Sequence, residues 1–377
     1  MADISVVVVS FNSAGFLRAC LSSVLASLPA SGEVVVIDNA SSDESCAFIR
    51  KEFPSVTLLS LGTNEGFGAA CNRGAAAASG RYLVFLNPDT QVEPGWLEPL
   101  RRTLEEDPTV GAASPKIVLL DRPEMINACG NDVHVAGFPS CHLWGVPAEA
   151  VQESGEVTAV SGAAFMISKA LFDELGGFDP QFFMYLEDTD LSWRLRLRGY
   201  RCCYVPQSVV RHRYAPTFSS QKFFWLERNR YRLLAKNLRG GTLLALAPAL
   251  LLAEFSSWIY ALLRGPRHLA AKGAADWWAL RHWRAARRAG HPEWRGRTAR
   301  EDRELLRCCS VRIAYDMAYP GRLARLAAGL CDPLYAACRW LAVAVWSPTG
   351  KPVGRKRSEA PALPSFPPKG VAAGEGG

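Results

Sequence analysis

Apolar residues in this chain come in short unbroken runs separated by stretches of helical spacing. Ile4 to Val9 is continuous and β-branched, which predicts a strand buried on both faces. Polar residues follow at Ser10-Phe11-Asn12, and then Leu17, Leu21, Val24 and Leu25 recur with the period of a helix. Glu33 to Ile37 predicts a second strand, closed by Asp38-Asn39-Ala40-Ser41-Ser42-Asp43, where Ser42 or Asp43 suits a helix cap. Val56 to Leu59 predicts a third, weaker strand that ends near Asn64. Strands alternating with helices, each strand closing on polar residues, predict a doubly wound α/β domain with a nucleotide-type crevice.

Asn64 to Gly74 opens a helix of small residues that continues through Ala78. Gly66-x-Gly68 invites comparison with a dinucleotide fingerprint, but position 71 is Cys and the motif is not on the first strand. The small residues instead predict close packing of helix on sheet and close approach of backbone to a ligand. Tyr82 to Leu86 is the next buried strand. It stops at Asn87-Pro88-Asp89, which leaves a carboxylate just past the end of a core strand. That segment is open to two readings: a plain turn, or a carboxylate holding one face of a divalent ion.

Trp96 to Glu106 predicts a helix and Val110 to Val118 a strand. Residues 121–156 read as an irregular excursion over the site. Val157 to Ile167 is apolar, with Ser161-Gly162 in its middle. Glu187, Asp188 and Asp190 then open a helix that runs to Arg198. Acids at that place cap free N–H groups and complement the helix dipole, and Asp190 and Arg194 are spaced to pair. Three acids beside an aromatic run also suit a general base in a cleft. Cys202 to Val205 predicts a last strand, and His212 follows Val209-Val210-Arg211 at another expected strand end. An imidazole there can join a carboxylate around a metal.

Charge divides the chain. Residues 1–235 carry 20 Lys and Arg against 26 Asp and Glu, whereas residues 236–377 carry 23 against 10. An acidic body and a basic rear predict a catalytic part followed by one that meets an anionic partner. In the rear, Thr242 to Leu263 is apolar over nearly a bilayer's length, although Pro248 and Glu254 interrupt it. Arg264, Arg267, Arg281, Arg284, Arg287 and Arg288 follow, interleaved with Trp277, Trp278 and Trp283. This predicts association with an anionic membrane surface, by an interfacial or a spanning segment. No nucleic-acid-binding pattern accompanies the charge, and no nucleic-acid partner is expected. Leu334 to Trp346 is a second apolar patch, and residues 347–377 read as a disordered tail. The eleven cysteines contain no C-x-x-C pair and read as buried thiols in a reducing compartment. Met1 leads straight into a strand with no leader pattern, so the catalytic part is expected on the cytoplasmic side of the cell membrane.

These pieces together resemble a family 2 glycosyltransferase of the GT-A fold, in its bacterial rhamnosyltransferase-like subgroup. The resemblance covers roughly residues 3–237. It rests on VVVVSFN (6–12), VVVIDNASSD (34–43), NEGFGAACNRG (64–74), LVFLNPDT (83–90), VSGAAFMISKALFDELGGFD (160–179), FFMYLEDTDLSWRLRLRGY (182–200) and ERNRYRLLAKN (227–237). It implies a Rossmann-like mixed sheet flanked by helices over residues 1–237, while the apolar and basic pattern of the rear predicts a helical, membrane-associating region over 238–346. It places Asn87-Pro88-Asp89 at the family's DxD position. Asp89 would then hold Mg²⁺ or Mn²⁺, with Asn87 a weaker donor-site candidate. It places Asp38 against the nucleotide base, Ser10, Asn12 and Asn64 in segments lining the nucleotide pocket, and Asp188 as catalytic base. His212 opens a His-x-x-Gly-x-Ser pattern from which Ala215 and Thr217 depart, and is a second metal candidate. Gly162, Glu187 and Asp190 are further donor- or acceptor-site candidates.

The implied reaction is inverting transfer of a sugar, rhamnose from dTDP-rhamnose, onto a glycan or polyprenyl-diphosphate-linked acceptor in cell-surface polysaccharide assembly. The competing expectations are a UDP- or GDP-sugar donor, or a catalytically silent nucleotide-sugar-binding protein on the same fold. A nucleotidyltransferase is disfavoured because Ser10 to Gly15 supplies no Gly-rich basic phosphate loop.

Overall fold

The structure is a computed structural model that describes residues 2–214, 218–290, 299–313 and 322–344. Residues 1–346 form one compact unit. The opening follows the apolar pattern closely: β1 (Ile4–Ser10), α1 (Ala14–Ser27), β2 (Gly32–Asp38), α2 (Ser45–Glu52), β3 (Thr57–Ser60), α3 (Phe67–Ala77) and β4 (Tyr82–Leu86). β1 pairs in parallel with β2 and β4, and β2 with β3. Alternate residues supply separate cores on the two faces. Val7, Val9, Val35, Ile37, Leu83 and Phe85 face one core, while Val6, Val8, Val34, Val36, Val84 and Leu86 face the other. The small residues of α3 do bring it close to the sheet, since a Cβ on Gly74 would lie 2.3 Å from Val7.

The second half of the sheet is mixed. It comprises β5 (Thr90–Val92), β6 (Val110–Leu119), β7 (Ile126–Ala128), β10 (Gly155–Val157), β11 (Ala164–Ser168) and β12 (Arg201–His212), with α4 (Leu97–Glu106) after β5. Among the described residues the sheet has ten strands in the order β10-β12-β6-β11-β4-β1-β2-β3, with β5 on β12 and β7 on β6. β11 runs antiparallel to both β4 and β6. This is the expected Rossmann-like mixed sheet with flanking helices.

Three expectations need correction. The stretch 121–156 is not irregular: besides β7 it forms a hairpin of β8 (Asn131–Val133) and β9 (Pro139–Cys141). Their three-residue lengths hide the alternation by which longer strands are read. Cys202 to Val205 and Val209 to His212 are one strand. The register on β6 slips between Val205 and Val209, around Pro206, which has no N–H for the ladder. β5 was not foreseen, because three residues carry no period.

After β11 come α5 (Lys169–Glu174), α6 (Glu187–Leu197) and, beyond β12, α7 (Ser220–Asn237). The apolar stretch 242–263 is divided between α8 (Gly240–Ala245) and α9 (Ala247–Arg264). α10 (Pro266–Arg288), α11 (Ala299–Cys308) and α12 (Arg322–Ala344) follow. Among the described residues no helix is long and apolar enough to cross a membrane. The patch from Leu334 is part of α12 as far as Ala344, and the tail 347–377 lies outside the described residues.

Candidate active site

The parallel strands end side by side, and their polar end residues meet there. Ser10 of β1 lies in register with Asp38 of β2. Ser10 Oγ and Asp38 Oδ1 are both buried without a hydrogen-bond partner, while Asp38 Oδ2 accepts from Ser41 N at 3.1 Å. A free hydroxyl and a free carboxylate oxygen in a strand-end crevice suit a polar ligand. Asn12 and Asn64 build the rim instead. Asn12 Oδ1 accepts from Ser42 N at 2.8 Å, and Asn64 Oδ1 accepts from Gly66 N at 2.9 Å. Asn39, which the sequence pattern did not single out, joins the two loops. Its amide donates to Asn64 Oδ1 at 3.0 Å and its oxygen accepts from Glu65 N at 2.9 Å.

Strand pairing brings Asp89 and His212 together across 123 positions of chain. Thr90 of β5 is the register partner of His212 on β12. Asp89, one residue earlier, has Oδ1 3.3 Å from His212 Nε2. His212 Nδ1 meets Asn127 Oδ1 at 2.8 Å. A carboxamide oxygen only accepts, so Nδ1 donates to Asn127, and Nε2 is the ring nitrogen turned towards Asp89. Asp89 Oδ1 is buried and has no hydrogen bond. An imidazole nitrogen and a carboxylate oxygen facing one another are a pair of ligands that suits a divalent cation, so Asp89 and His212 fit a metal. The backbone N–H of Asn87 donates to Ala163 O at 2.9 Å, and Asn87 borders a cavity of about 860 Å³. Ala215 and Thr217, the departures from the pattern after His212, lie outside the described residues.

Asp188 lines the same cavity, with Glu187, Ser161 and Gly162. Its carboxylate is held entirely by neutral donors. Gly162 N and Asn131 Nδ2 donate to Oδ2 at 2.7 and 3.1 Å, and Thr189 N donates to Oδ1 at 2.6 Å. A Cβ on Gly162 would lie 3.1 Å from Oδ2, so glycine lets the backbone approach. Burial pushes the Asp188 carboxyl above its ordinary range, and the hydrogen bonds from Gly162 and Thr189 partly offset this. Burial, reinforced by the Asp188 charge, pushes Glu187 up to about 8. A carboxylate with a raised pKa and no cationic partner suits a general base.

Asp190, two residues on, is not brought to the cavity. It is fully buried and bound by Arg194 Nε, Lys236 Nζ and Asn237 Nδ2, each at 2.8 Å. Burial alone would raise its pKa, but Lys236 and Arg194 hold it down at about 2. It is a structural ion pair, and as a donor- or acceptor-site candidate it is withdrawn. A second acidic cluster, Glu227, Glu254 and Asp276, has carboxylate oxygens within 4.8 Å of one another. Its centre is already taken by Lys272 Nζ, 2.9, 2.6 and 2.7 Å from the three acids, and Arg230 also pairs with Glu227 and Glu254.

The approach to α6 is strained, with φ of 62°, 69° and 66° at Phe183, Tyr185 and Leu186. One side chain holds it. Asn229 Nδ2 on α7 donates to the carbonyls of Phe182, Met184 and Tyr185 at 2.9, 2.8 and 2.8 Å. Phe183 O in turn accepts from Phe67 N at 2.7 Å, beside Gly66, where a Cβ would lie 2.5 Å from that oxygen. Asn229 lies in the segment ERNRYRLLAKN, and nothing local to it signals that its contacts are some 45 residues away.

Comparison with known proteins places this geometry in a family. The pattern of "Glycosyl transferase family 2" matches residues 5–125, and that of "Glycosyl transferase family group 2" matches residues 82–270. An N-acetylglucosaminyl-diphospho-decaprenol L-rhamnosyltransferase of Mycobacterium tuberculosis is 29% identical over 235 residues, 56% of this chain and 76% of that one. A poly-beta-1,6-N-acetyl-D-glucosamine synthase of Staphylococcus aureus is 27% identical over 211 residues, 55% of this chain and 49% of that one. Among solved structures, S. aureus TarS 1-349 in complex with UDP-GlcNAc has a TM-score of 0.52 at 18% identity, over 90% of each chain. GalNAc-T7 with UDP, GalNAc and Mn²⁺ has a TM-score of 0.54 at 18% identity, over 84% of this chain and 57% of that one.

Proposed function

Since the chain belongs to glycosyl transferase family 2, in its rhamnosyltransferase-like branch, we propose that it transfers rhamnose from dTDP-rhamnose, with inversion, onto a hydroxyl of a lipid-linked glycan. The observation that carries the reading is Asp188, which faces the same cavity as Asn87 with no cation of its own. Ser10 and Asp38 offer open polar atoms to the nucleotide, with Asn12, Asn39 and Asn64 shaping the rim. Asp89 and His212 would hold Mg²⁺ or Mn²⁺, which when bound supplies Lewis-acid stabilisation of the diphosphate leaving group. Asp188 takes the proton from the acceptor hydroxyl as that oxygen attacks the anomeric carbon. One base and one displacement invert the centre. Burial pushes the neighbouring Glu187 up to about 8, which favours its neutral form beside Asp188. The lipid-linked acceptor is supported by the mycobacterial relative, whose own name carries that acceptor.

The same reading puts the enzyme at the cytoplasmic face of a membrane. α9 is inverted relative to an ordinary amphipathic helix: Ala249, Ala253, Ser257 and Ala261 are buried. Leu251, Phe255, Trp258, Ile259 and Leu262 are exposed, Leu251 by 70%. Large apolar side chains facing outward, beside exposed Arg264 and Arg267, support an interfacial contact with anionic headgroups.

The test is a thermal-shift and transfer screen of nucleotide sugars with Mg²⁺ or Mn²⁺, using diphospholipid-linked N-acetylglucosamine as acceptor. dTDP-rhamnose is expected to give the largest shift and the product. Turnover with only a UDP- or GDP-sugar would reject the donor assignment.

A further inference from the structure

The cavity continues past Asp188 between α7 and α9, and its far half differs in chemistry from the catalytic wall. Phe218, Phe223, Leu226 and Tyr260 line it with apolar surface. At the junction stands Lys222, near the start of α7. Its Nζ lies 5.4 Å from the ring centre of Tyr185, 5.8 Å from that of Tyr214 and 5.9 Å from that of Phe218. These three rings form an aromatic box around the ammonium. Arg264 stands at the same cavity's rim, exposed.

Among the described residues no carboxylate pairs with Lys222. The acids of the same cavity are otherwise engaged. Asp188 is held by neutral donors, burial keeps the Glu187 proton on, and Glu227 is bound to Arg230 and Lys272. Burial also lowers the Lys222 pKa, so the site disfavours its own cation. Elsewhere this chain supplies partners to buried lysines: Lys236 and Lys272 each have two or more carboxylates within 3.0 Å, and Lys116 donates to the carbonyls of Ala148 and Val151 at 3.1 Å. Among the described residues Lys222 Nζ has neither kind of partner, and a half-buried lysine in that state beside an apolar pocket suits an anion that carries an apolar tail.

We propose that Lys222, in its box of Tyr185, Tyr214 and Phe218, binds the diphosphate of a polyprenyl-diphosphate acceptor, with the first isoprene units in the pocket of Phe223, Leu226 and Tyr260. This rests on the lipid-linked acceptor of the preceding reading and gives it a location. One cavity carries the three chemistries such an acceptor needs: a base for the sugar hydroxyl, a cation for the diphosphate and an apolar wall for the lipid. α9 has Ser257 and Tyr260 on the cavity side and Phe255, Trp258 and Leu262 outside, so the pocket and the exposed apolar face share one helix.

The experiment is calorimetric binding to the full chain of farnesyl diphosphate, farnesol and dTDP, for the wild type, Lys222→Met and Lys222→Arg. The wild type is expected to bind farnesyl diphosphate at least about tenfold more tightly than farnesol. Lys222→Met is expected to erase that difference, with farnesol and dTDP binding unchanged, and Lys222→Arg to restore most of it. Unchanged farnesyl diphosphate binding by Lys222→Met would overturn the role of Lys222 and leave the lipid-linked reading standing. Loss of dTDP binding instead would give the lysine to the donor diphosphate and overturn the acceptor assignment. Failure of the wild type to distinguish farnesyl diphosphate from farnesol would overturn the proposal without any variant, and failure to bind either would reject the lipid-linked acceptor as well.

Discussion

Two regions of this molecule gather carboxylates, and they treat them in opposite ways. Between α7, α9 and α10, Glu227, Glu254 and Asp276 converge on Lys272, with Arg230 and the Tyr231 hydroxyl closing the remaining positions. Burial alone would raise the Glu254 pKa, but Arg230 and Lys272 outweigh it and hold it at about 2. Along the cleft, Asp89 Oδ1 and Asp38 Oδ1 are buried without hydrogen bonds, and Asp188 is held by neutral donors alone. The first arrangement is complete as it stands. The second leaves single carboxylate oxygens without a hydrogen bond, and a buried polar atom in that state is costly until a ligand meets it. Acid content does not distinguish a site from a structural cluster. What distinguishes them is whether the protein has already neutralised the acids.

The sharpest way to break this contrast is at the base. Asp188→Asn is expected to lower kcat by about 10²- to 10⁴-fold while nucleotide binding and the melting temperature stay near those of the wild type. Near-normal transfer by that variant would remove Asp188 from the role. The closed cluster is tested by Lys272→Met, which leaves three buried acids short of a cation. It is expected to cost about 3–5 kcal/mol in chemical denaturation. It is also expected to retain the Mn²⁺-induced thermal shift that Asp89→Ala abolishes. A Mn²⁺ response that survives Asp89→Ala and vanishes on altering Glu254 would exchange the two regions' roles.

The smallest effect is a pH slope. The folded pKa of Glu187, about 8, lies above its ordinary value of 4.5, so its contribution to stability is fully present below pH 4.5 and is lost as pH rises through 8. Glu187→Gln is expected to flatten the decline in stability over that window, by up to about 1.4 kcal/mol per pH unit, in denaturant melts at several pH values. An unchanged slope would show that Glu187 titrates normally.

Asp188 and Asp190 show the same contrast at two residues' distance. In sequence they are equivalent members of one acidic helix start, and the i, i+4 spacing of Asp190 and Arg194 was the one local hint of their difference. The structure adds Lys236 and Asn237, 46 and 47 positions away, to Asp190, and gives Gly162 and Asn131 to Asp188. No local pattern carries that information.

The amino-acid sequence by itself determined the strand–helix alternation to β4, the polar residues at the strand ends and the basic, apolar rear. Those follow from periodicity and residue type, which act locally along the chain. It also marked Asp89, His212 and the acidic helix start of Glu187, Asp188 and Asp190, because acids and imidazoles at strand and helix ends stand out against an apolar framework, and the family resemblance chose Asp188 among the three. Tertiary structure alone decided which acids remain open. It seats His212 beside Asp89 through the β5–β12 register and orients the ring with Asn127, so that Nε2 faces Asp89. It clamps the strained approach to α6 with Asn229 and leaves Lys222 in its aromatic box without a carboxylate. The reason is physical: the state of a charged group is set by the burial and partners around it, and those come from segments far apart in sequence.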